Sequence, residues 1–130
     1  MSPTYTPVEM IQKALSVCHP RQLAHANSAG GVACALESIS GRLYYGVCID
    51  ISSGIGFCAE HSAIAAMITA RESGIKQIVA VVEGGQVLPP CGRCREFIAQ
   101  IDDANLGNTQ VILAPDKVVR LAELLPYPYC

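Results

Sequence analysis

The chain contains 130 residues, of which 51% are hydrophobic and only 15% are charged, and its formal net charge is −2. This length predicts a single domain, residues 1–130, and the nine Lys and Arg are scattered, which excludes the clustered basic face of a nucleic-acid-binding protein. No apolar run reaches the roughly 18 residues of a membrane span, and residues 1–10 lack signal-peptide features, so we expect a cytoplasmic protein without membrane contact.

The seven cysteines are an odd number in a chain expected to stay in the reducing cytosol, which argues against a disulfide framework. The charged fraction lies well below the roughly 25% of a typical soluble domain. We therefore expect part of the apolar excess to be buried between subunits.

The first half of the chain predicts a helix and then a β-hairpin. Thr6-Pro7-Val8-Glu9 has the hydroxyl, proline and glutamate of a capping box, which predicts a helix from Pro7 to about His19, ended by Pro20. Residues 31–37 and 42–51 are rich in β-branched, aromatic and small apolar side chains, which are typical of strands. The Gly- and Ser-rich segment that follows predicts a loop.

Two later helices each begin at a cysteine. A helix over residues 58–73, ended by Gly74, is apolar on nearly every side and is predicted to be the central helix. A second helix covers residues 91–101. The remaining predicted elements are strands at 78–82, 110–114 and 118–119 and a short helix at 120–125. This alternation predicts an α/β layered domain in which both cysteine-bearing helices start at the same edge of the sheet.

Cysteines recur in two short motifs, Cys58-Ala59-Glu60-His61 and Pro90-Cys91-Gly92-Arg93-Cys94. Thiols at helix starts are favoured as thiolates, because the N–H groups there stabilise negative charge, and thiolates bind Zn²⁺. A structural zinc has four protein ligands, whereas a catalytic zinc keeps one position for water and needs a base beside it. The candidate zinc ligands are Cys58, Cys91 and Cys94.

Two other interpretations of these cysteines remain open. Cys91 and Cys94 have the spacing of a redox pair, with Cys58 unrelated to them, but this leaves the placement of Glu60 unexplained. Alternatively, His61 is a fourth ligand and the site is a closed, structural zinc site.

Cys-x-Glu followed far downstream by Pro-Cys-x-x-Cys resembles the cytidine deaminase superfamily in its small, three-cysteine form. Within that group, Pro90-Cys91-Gly92-Arg93-Cys94-Arg95 and the tail Glu123-Leu124-Leu125-Pro126 most resemble blasticidin-S deaminases. The resemblance covers about residues 31–127. It implies a three-layer α/β/α sandwich with a mixed five-stranded sheet, a zinc ion held by the three cysteines, and a homotetramer.

The resemblance also implies roles for individual residues. Glu60 is the expected proton carrier in the hydrolysis of a 4-aminopyrimidine, although it could merely complement a helix N-terminus. The Ala59 backbone is expected to contact the ring, and Tyr127 is expected to reach a neighbouring subunit's active site. Three side chains are candidates to offset the thiolate charge by hydrogen bonding to the sulfurs: His61, Arg93 and Arg95.

Substrate recognition is where the sequence departs from the family pattern. Related nucleoside deaminases carry an Asn-x-Glu triplet that holds the ribose hydroxyls, and here the matching residues are Cys48-Ile49-Asp50. Asp50 can accept a hydrogen bond from a hydroxyl, but Cys48 cannot replace an amide. An aromatic residue of the family is also absent, its place falling near Gly30.

These features predict a deaminase of a cytosine nucleoside or nucleoside-like compound, similar to blasticidin-S deaminase. The alternative is an ordinary cytidine or deoxycytidine deaminase. A more distant alternative is a zinc-stabilised binding module without turnover.

Overall fold

A mixed β-sheet forms the middle layer of the structure, a computed structural model that describes residues 2–130; Met1, the first residue of the predicted domain, lies outside them. Its strands are β1 (Arg21–Gln22), β2 (Ser28–Ser38), β3 (Leu43–Asp50), β4 (Ile75–Val82), β5 (Val87–Leu88), β6 (Gln110–Ala114) and β7 (Lys117–Arg120). The five longer strands lie in the order β3-β2-β4-β6-β7, with β4 parallel to β6 and the other pairs antiparallel. The predicted mixed five-stranded sheet is confirmed, and the two-residue strands β1 and β5 are additions to it.

Helices cover both faces of this sheet. They are α1 (Pro7–Leu15), α2 (Ala59–Thr69), α3 (Gly92–Ile101), α4 (Asn105–Asn108) and α5 (Leu121–Leu124). On one face, α1 packs against the side chains of Ala35, Val79 and Ile112. On the other face, α2, α3 and α5 pack against Leu36, Ile78 and Val111. Neighbouring residues of one strand thus enter different clusters, as the alternation of a strand requires, and the three-layer α/β/α arrangement is confirmed.

Helix α1 has the predicted capping box but ends earlier than predicted. The Thr6 hydroxyl accepts from the Glu9 N–H at 3.2 Å, and the Glu9 carboxylate accepts from the Thr6 N–H at 2.9 Å. The helix ends at Leu15 rather than near His19. Beyond Leu15, backbone N–H groups donate to carbonyl groups three residues earlier, as Cys18 does to Leu15 at 3.0 Å, and this tighter pattern ends the α-helix.

Helix α2 does not end at Gly74, as the sequence predicted, but at Thr69. Arg71 takes the left-handed conformation instead, with φ +68°. The Glu72 N–H bonds to the Met67 carbonyl at 3.1 Å and the Arg71 N–H bonds to the Ile68 carbonyl at 2.9 Å, which is a Schellman motif. The left-handed residue that ends the helix is therefore Arg71, three residues before the glycine.

Gly74 has a different role, in packing. A Cβ at this position would lie 2.4 Å from Cδ1 of Ile39, so the glycine lets the chain pass beside the β2–β3 hairpin.

The predicted hairpin and central helix are both present. Strands β2 and β3 pair antiparallel, and the Ser38 N–H bonds to the Arg42 carbonyl at 2.8 Å to close the turn. Helix α2 lies on this hairpin, and its residues Ala63, Ile64 and Met67 are fully buried. None of the helices within residues 2–130 combines the length and apolar character needed to cross a bilayer.

Candidate active site

Three cysteine sulfurs meet where α2 and α3 begin. Cys58 is the N-cap residue of α2, Cys91 is the N-cap residue of α3, and Cys94 lies in the first turn of α3. The Cys91 sulfur lies 3.5 Å from each of the other two. Two thiolates bound to a tetrahedral zinc at about 2.3 Å would lie about 3.8 Å apart, so the three donors fit a zinc ion with little movement.

His61 lies beside the same sulfurs. Its Nδ1 is 3.4 Å from the Cys94 sulfur, and its ring stacks on Phe97 with 4.5 Å between centroids. The donor atoms of Cys58, His61 and Cys94 all lie within 4.8 Å of one another, so a ligand set that includes the histidine is sterically possible. Four candidate ligands therefore lie together, and position alone does not exclude the closed site.

A large pocket opens over only one side of this cluster. Its volume is about 1040 Å³, and its lining includes Cys58, Glu60 and Cys91. Among the described residues, neither Cys94 nor His61 is part of that lining, and the His61 ring stacks on Phe97. A metal held by the three cysteines would border the pocket at Cys58 and Cys91, while Cys94 and the His61 ring beside it lie outside the lining.

The start of α3 favours ionisation of Cys91, one of the two thiols that line the pocket. Burial opposes ionisation of Cys91, but hydrogen bonds from the Cys94 N–H and the Cys58 thiol outweigh it and lower the pKa of Cys91. Burial raises the pKa of Cys58, and burial with the negative charge of Glu60 raises the pKa of Cys94. Two of the three sulfurs thus resist ionisation in the absence of a cation, which distinguishes them from free reactive thiols.

Glu60 occupies the floor of the pocket next to the sulfurs. Its side chain is 5% exposed, and burial raises the pKa of its carboxyl group. Burial favours the protonated form of this carboxyl group, which suits a residue that both accepts and returns a proton in general acid–base catalysis. Ala59, whose backbone is the predicted ring contact, is fully buried and also lines the pocket.

Asp50, the predicted sugar contact, lines the opposite wall of the pocket. The Cys48 thiol accepts from the Val32 N–H at 3.2 Å and donates to Asp50 Oδ2 at 3.4 Å. Cys48 is only 7% exposed, so its thiol hydrogen-bonds to Asp50 rather than to solvent. One oxygen of the Asp50 carboxylate thus accepts a hydrogen bond from the Cys48 thiol, and the other is left for a ligand.

The three candidates to offset the thiolate charge differ in what they contact: His61 lies at hydrogen-bond distance from a sulfur, whereas no side-chain hydrogen bond to a sulfur is present for Arg93 or Arg95 among the described residues. Arg95 donates from Nε to the Pro90 carbonyl at 2.8 Å and from Nη1 to the Leu124 carbonyl at 3.1 Å, so its guanidinium ties the C-terminal segment to the cysteine loop. Arg93 lines the pocket. His61 has its nitrogen at hydrogen-bond distance from a sulfur.

Tyr127 is not brought to the pocket of its own chain, since 91% of its side chain is exposed. The tail after it is held in place, because the Tyr129 N–H donates to the Glu96 carboxylate on α3 at 2.6 Å. The predicted contact of Tyr127 with a neighbouring subunit stays a prediction.

Loop residues that the sequence did not single out complete the pocket wall. The Asn27 side-chain oxygen accepts from the Ser52 N–H at 3.0 Å and joins the two loops that line the pocket. His25 also lines the pocket, with φ +57° in a region that non-glycine residues rarely adopt. Neither residue belongs to a motif or a periodic pattern, so the sequence carries no signal for them.

Comparison with known proteins places these motifs in a family. Residues 8–107 match the family model described as the cytidine and deoxycytidylate deaminase zinc-binding region. A cytidine deaminase of Mycobacterium tuberculosis is 31% identical over 87 residues, which make up 66% of this chain and 62% of that protein. The match therefore spans less than two thirds of that relative's length. A cytidine deaminase of Halalkalibacterium halodurans is 30% identical over 100 residues, covering 73% of this chain and 74% of the relative.

Solved structures agree with the fold. The cytidine deaminase from Mycobacterium leprae matches with a TM-score of 0.75 at 27% identity, covering 91% of this chain and 95% of that chain. The cytidine deaminase from Mycobacterium tuberculosis matches with a TM-score of 0.77 at 24% identity, covering 93% and 94% of the two chains.

Proposed function

Because this chain belongs to the cytidine and deoxycytidylate deaminase zinc-binding family, we propose that it hydrolyses the amino group of a cytosine base in a nucleoside or nucleoside-like compound. The products are ammonia and the corresponding uracil compound. The observation that carries this proposal is the buried Glu60 carboxyl group beside three sulfurs at the floor of an open pocket.

Cys58, Cys91 and Cys94 would hold the zinc ion of this family, and their mutual distances fit that donor set. Zinc, when bound, supplies the Lewis acid that activates water for attack on the ring carbon bearing the amine. The side of the cluster that faces the pocket is where a substrate would reach it.

Glu60 would move the protons of the reaction. Water adds its oxygen to ring C4 and gives up a proton, which the Glu60 carboxylate accepts and passes to ring N3. Glu60 next takes the proton of the new C4 hydroxyl group and delivers it to the amine nitrogen, so that C4 becomes a carbonyl as the C4–N bond breaks and ammonia leaves. The burial that raises the Glu60 pKa favours the protonated form, which is the form that returns a proton to the substrate.

Two finer predictions belong to this proposal. Similarity to blasticidin-S deaminase is supported by the motif around Arg93 and by the Cys48–Asp50 pair, which departs from the family triplet. Ordinary cytidine or deoxycytidine deamination is the second candidate, and it is favoured by the relatives described above, which are named cytidine deaminases. A homotetramer and a cytoplasmic location remain predictions from the sequence.

A binding module without turnover is the third candidate, and one measurement separates it from both enzymes. Ammonia release by the zinc-loaded protein should be measured with cytidine, deoxycytidine, blasticidin S and modified cytosine nucleosides. Turnover of at least one compound, lost in Glu60→Gln, supports the proposal. Zinc-loaded protein that releases ammonia from none of them would favour the binding module.

A further inference from the structure

A second cavity opens off the candidate active site. Its volume is about 510 Å³, and it shares Ser28, Gly31 and Asp50 with the main pocket. None of the cysteines lines it within the described chain. Because the three shared residues border both spaces, a ligand whose base lies at the sulfurs and whose other end passes Asp50 would enter this second cavity.

Three polar residues lie in one row across the strands that border the second cavity. In the β1–β2 pair Gln22 is opposite Ser28, and in the β2–β3 pair Ser28 is opposite Asp50. Directly opposite residues of antiparallel strands share a face of the sheet, with Cβ atoms about 4.5–5.5 Å apart. An amide, a hydroxyl and a carboxylate are thus aligned along the cavity.

The hydrogen-bonding groups of this row are available to a ligand. Gln22 and Asp50 are exposed, and Ser28 is half-buried. The Asp50 carboxylate accepts from Cys48 with Oδ2, and Asp50 lines both cavities. Within residues 2–130 no hydrogen bond links the Gln22 or Ser28 side chain to another protein group.

Gly30 lets residues 19 and 20 pass close to β2 beside this cavity. Gly30 has φ +84°, and a Cβ there would lie 2.3 Å from the carbonyl oxygen of His19. The position therefore cannot carry the aromatic side chain that the family pattern led us to look for. The chain instead passes closely over Gly30 and places Pro20 and β1 beside β2, where they border the cavity.

We propose that Gln22, Ser28 and Asp50 form a subsite for an uncharged polar substituent that extends from the sugar part of the cytosine compound. This rests on the proposed function, because the base must lie at the sulfurs for its sugar to reach Asp50. A carboxylate only accepts hydrogen bonds, whereas a hydroxyl and an amide both donate and accept, so the row suits a hydroxyl or amide group. The lining carries one cation, Arg21, and one anion, Asp50, so it offers no net charge to select an ion.

The test compares two cytidine derivatives of equal size, one with a 5′-acetamido group and one with a 5′-alkyl group. We expect kcat/KM for the acetamido compound to exceed that for the alkyl compound by about tenfold, mainly through KM, because an unpaired polar group in the site costs about one hydrogen bond. Gln22→Ala and Ser28→Ala should each reduce this ratio. Gln12→Ala, an exposed glutamine on α1, is the matched control and should keep it.

Equal kcat/KM values for the two compounds, or a ratio that survives in both variants, would overturn the subsite. Cytidine 5′-monophosphate as the best substrate, with its advantage lost in Arg21→Gln, would replace it with an anion site. Calorimetric Kd values for both derivatives in Glu60→Gln test the subsite without turnover. Failure of the proposed function, which would appear as no ammonia release from any compound, is thereby distinguished from failure of the subsite.

Discussion

Gly46 on β3 lies directly against the backbone of Ala63 on α2, so closely that a Cβ on the glycine would sit 2.2 Å from the Ala63 nitrogen. The same Cβ would lie 2.7 Å from the Ala59 carbonyl oxygen. Next to this contact, the hydroxyl of Ser62, the residue before Ala63, donates to the Val47 carbonyl at 2.7 Å. The first turns of α2, which carry Glu60, are therefore held close against β3, because Gly46 has no side chain where the strand meets the helix.

Gly46→Ala should push α2 away from β3. We expect a loss of about 1–3 kcal/mol in the free energy of unfolding, as for other overpacked contacts, together with weaker zinc binding. Urea unfolding and metal analysis measure the two effects. Gly107→Ala is the control, since nothing lies within 4 Å of a Cβ there. Equal stability of the two variants would show that the crossing does not depend on the glycine.

The elements that the sequence predicted well are those with local signals. The capping box of α1 depends on residues three apart, and the strands β2 and β6 are rich in β-branched or small apolar side chains. The convergence of the cysteine-bearing helices followed from the α/β alternation, and the sulfurs do lie together. Such features need no knowledge of distant contacts.

Other features depend on contacts that the sequence does not encode locally. The C-terminus of α2 closes on Arg71 because Met67 and Ile68 offer their carbonyls there, although Gly74 was the stronger local signal. The polar row of the second cavity exists because the two-residue strand β1 pairs with β2, and two residues show no periodicity. The end of α2 and the polar row were therefore both determined by the folded chain rather than by a local sequence signal.

Replacement of two candidate ligands should distinguish the open site from the closed one. Cys91→Ala should lose most of the zinc and much of the stability, because structural and catalytic zinc sites depend on each thiolate. His61→Ala should keep about one zinc per chain, since a catalytic zinc needs only the three thiolates as protein ligands and the His61 ring stacks on Phe97 beside the Cys94 sulfur. Metal analysis after dialysis measures both, with Cys130→Ser, an exposed terminal thiol, as the control. Zinc loss in both variants would indicate the closed, four-ligand site, and zinc retention in Cys91→Ala would remove Cys91 from the site.

Glu60→Gln should bind zinc and fold normally but lose nearly all turnover. The amide keeps the shape of the side chain and cannot accept the proton, so we expect kcat to fall by about 10²–10⁴-fold or more. Ammonia release under single-turnover conditions measures the loss. Glu83→Gln, whose side chain does not line the pocket among the described residues, is the control. Full activity in Glu60→Gln would exclude the proposed proton transfer.

Cys48→Asn should shift preference toward unmodified cytidine. The thiol now donates to Asp50, and an amide at this position could instead bind a sugar hydroxyl. In the unaltered protein we expect kcat/KM for cytidine to lie about ten- to a hundredfold below that for a cytosine compound with a bulkier sugar part, the cost of one or two unmet hydrogen bonds. Steady-state kinetics should show this gap narrowing in Cys48→Asn. Cytidine as the best substrate of the unaltered protein would favour the ordinary cytidine deaminase.

A buried carboxylate at the centre of the sheet ties the N-terminal segment to β2 and β4. Both oxygens of Glu37 accept from the Thr4 N–H, at 3.0 and 3.2 Å, and one accepts from the Gln77 amide at 2.9 Å. The Lys76 ammonium lies 3.6 Å away. Burial alone would raise the pKa of Glu37, but the hydrogen bonds from Thr4 and Gln77 and the charge of Lys76 outweigh it, so the pKa is lowered.

This lowered pKa makes part of the stability depend on pH in the acid range. Above the unfolded value of about 4.3, Glu37 is ionised in both states and its contribution is complete. As pH falls through the lower, folded pKa the unfolded chain has already bound its proton, so stability is lost. Glu37→Gln should be destabilised by about 1.5–3 kcal/mol at pH 7, the range for hydrogen bonds to a charged group.

The difference in unfolding free energy between Glu37→Gln and the unaltered protein should shrink between pH 7 and about pH 3, because the protonated glutamate resembles the amide. Urea unfolding at both pH values measures it. Loss of zinc from thiolates in acid affects the two proteins alike, so the difference between them isolates Glu37. Asp116→Asn, in an exposed turn, should behave like the unaltered protein throughout. A difference that stays constant with pH would mean that packing, rather than the charge of Glu37, holds the N-terminal segment on the sheet.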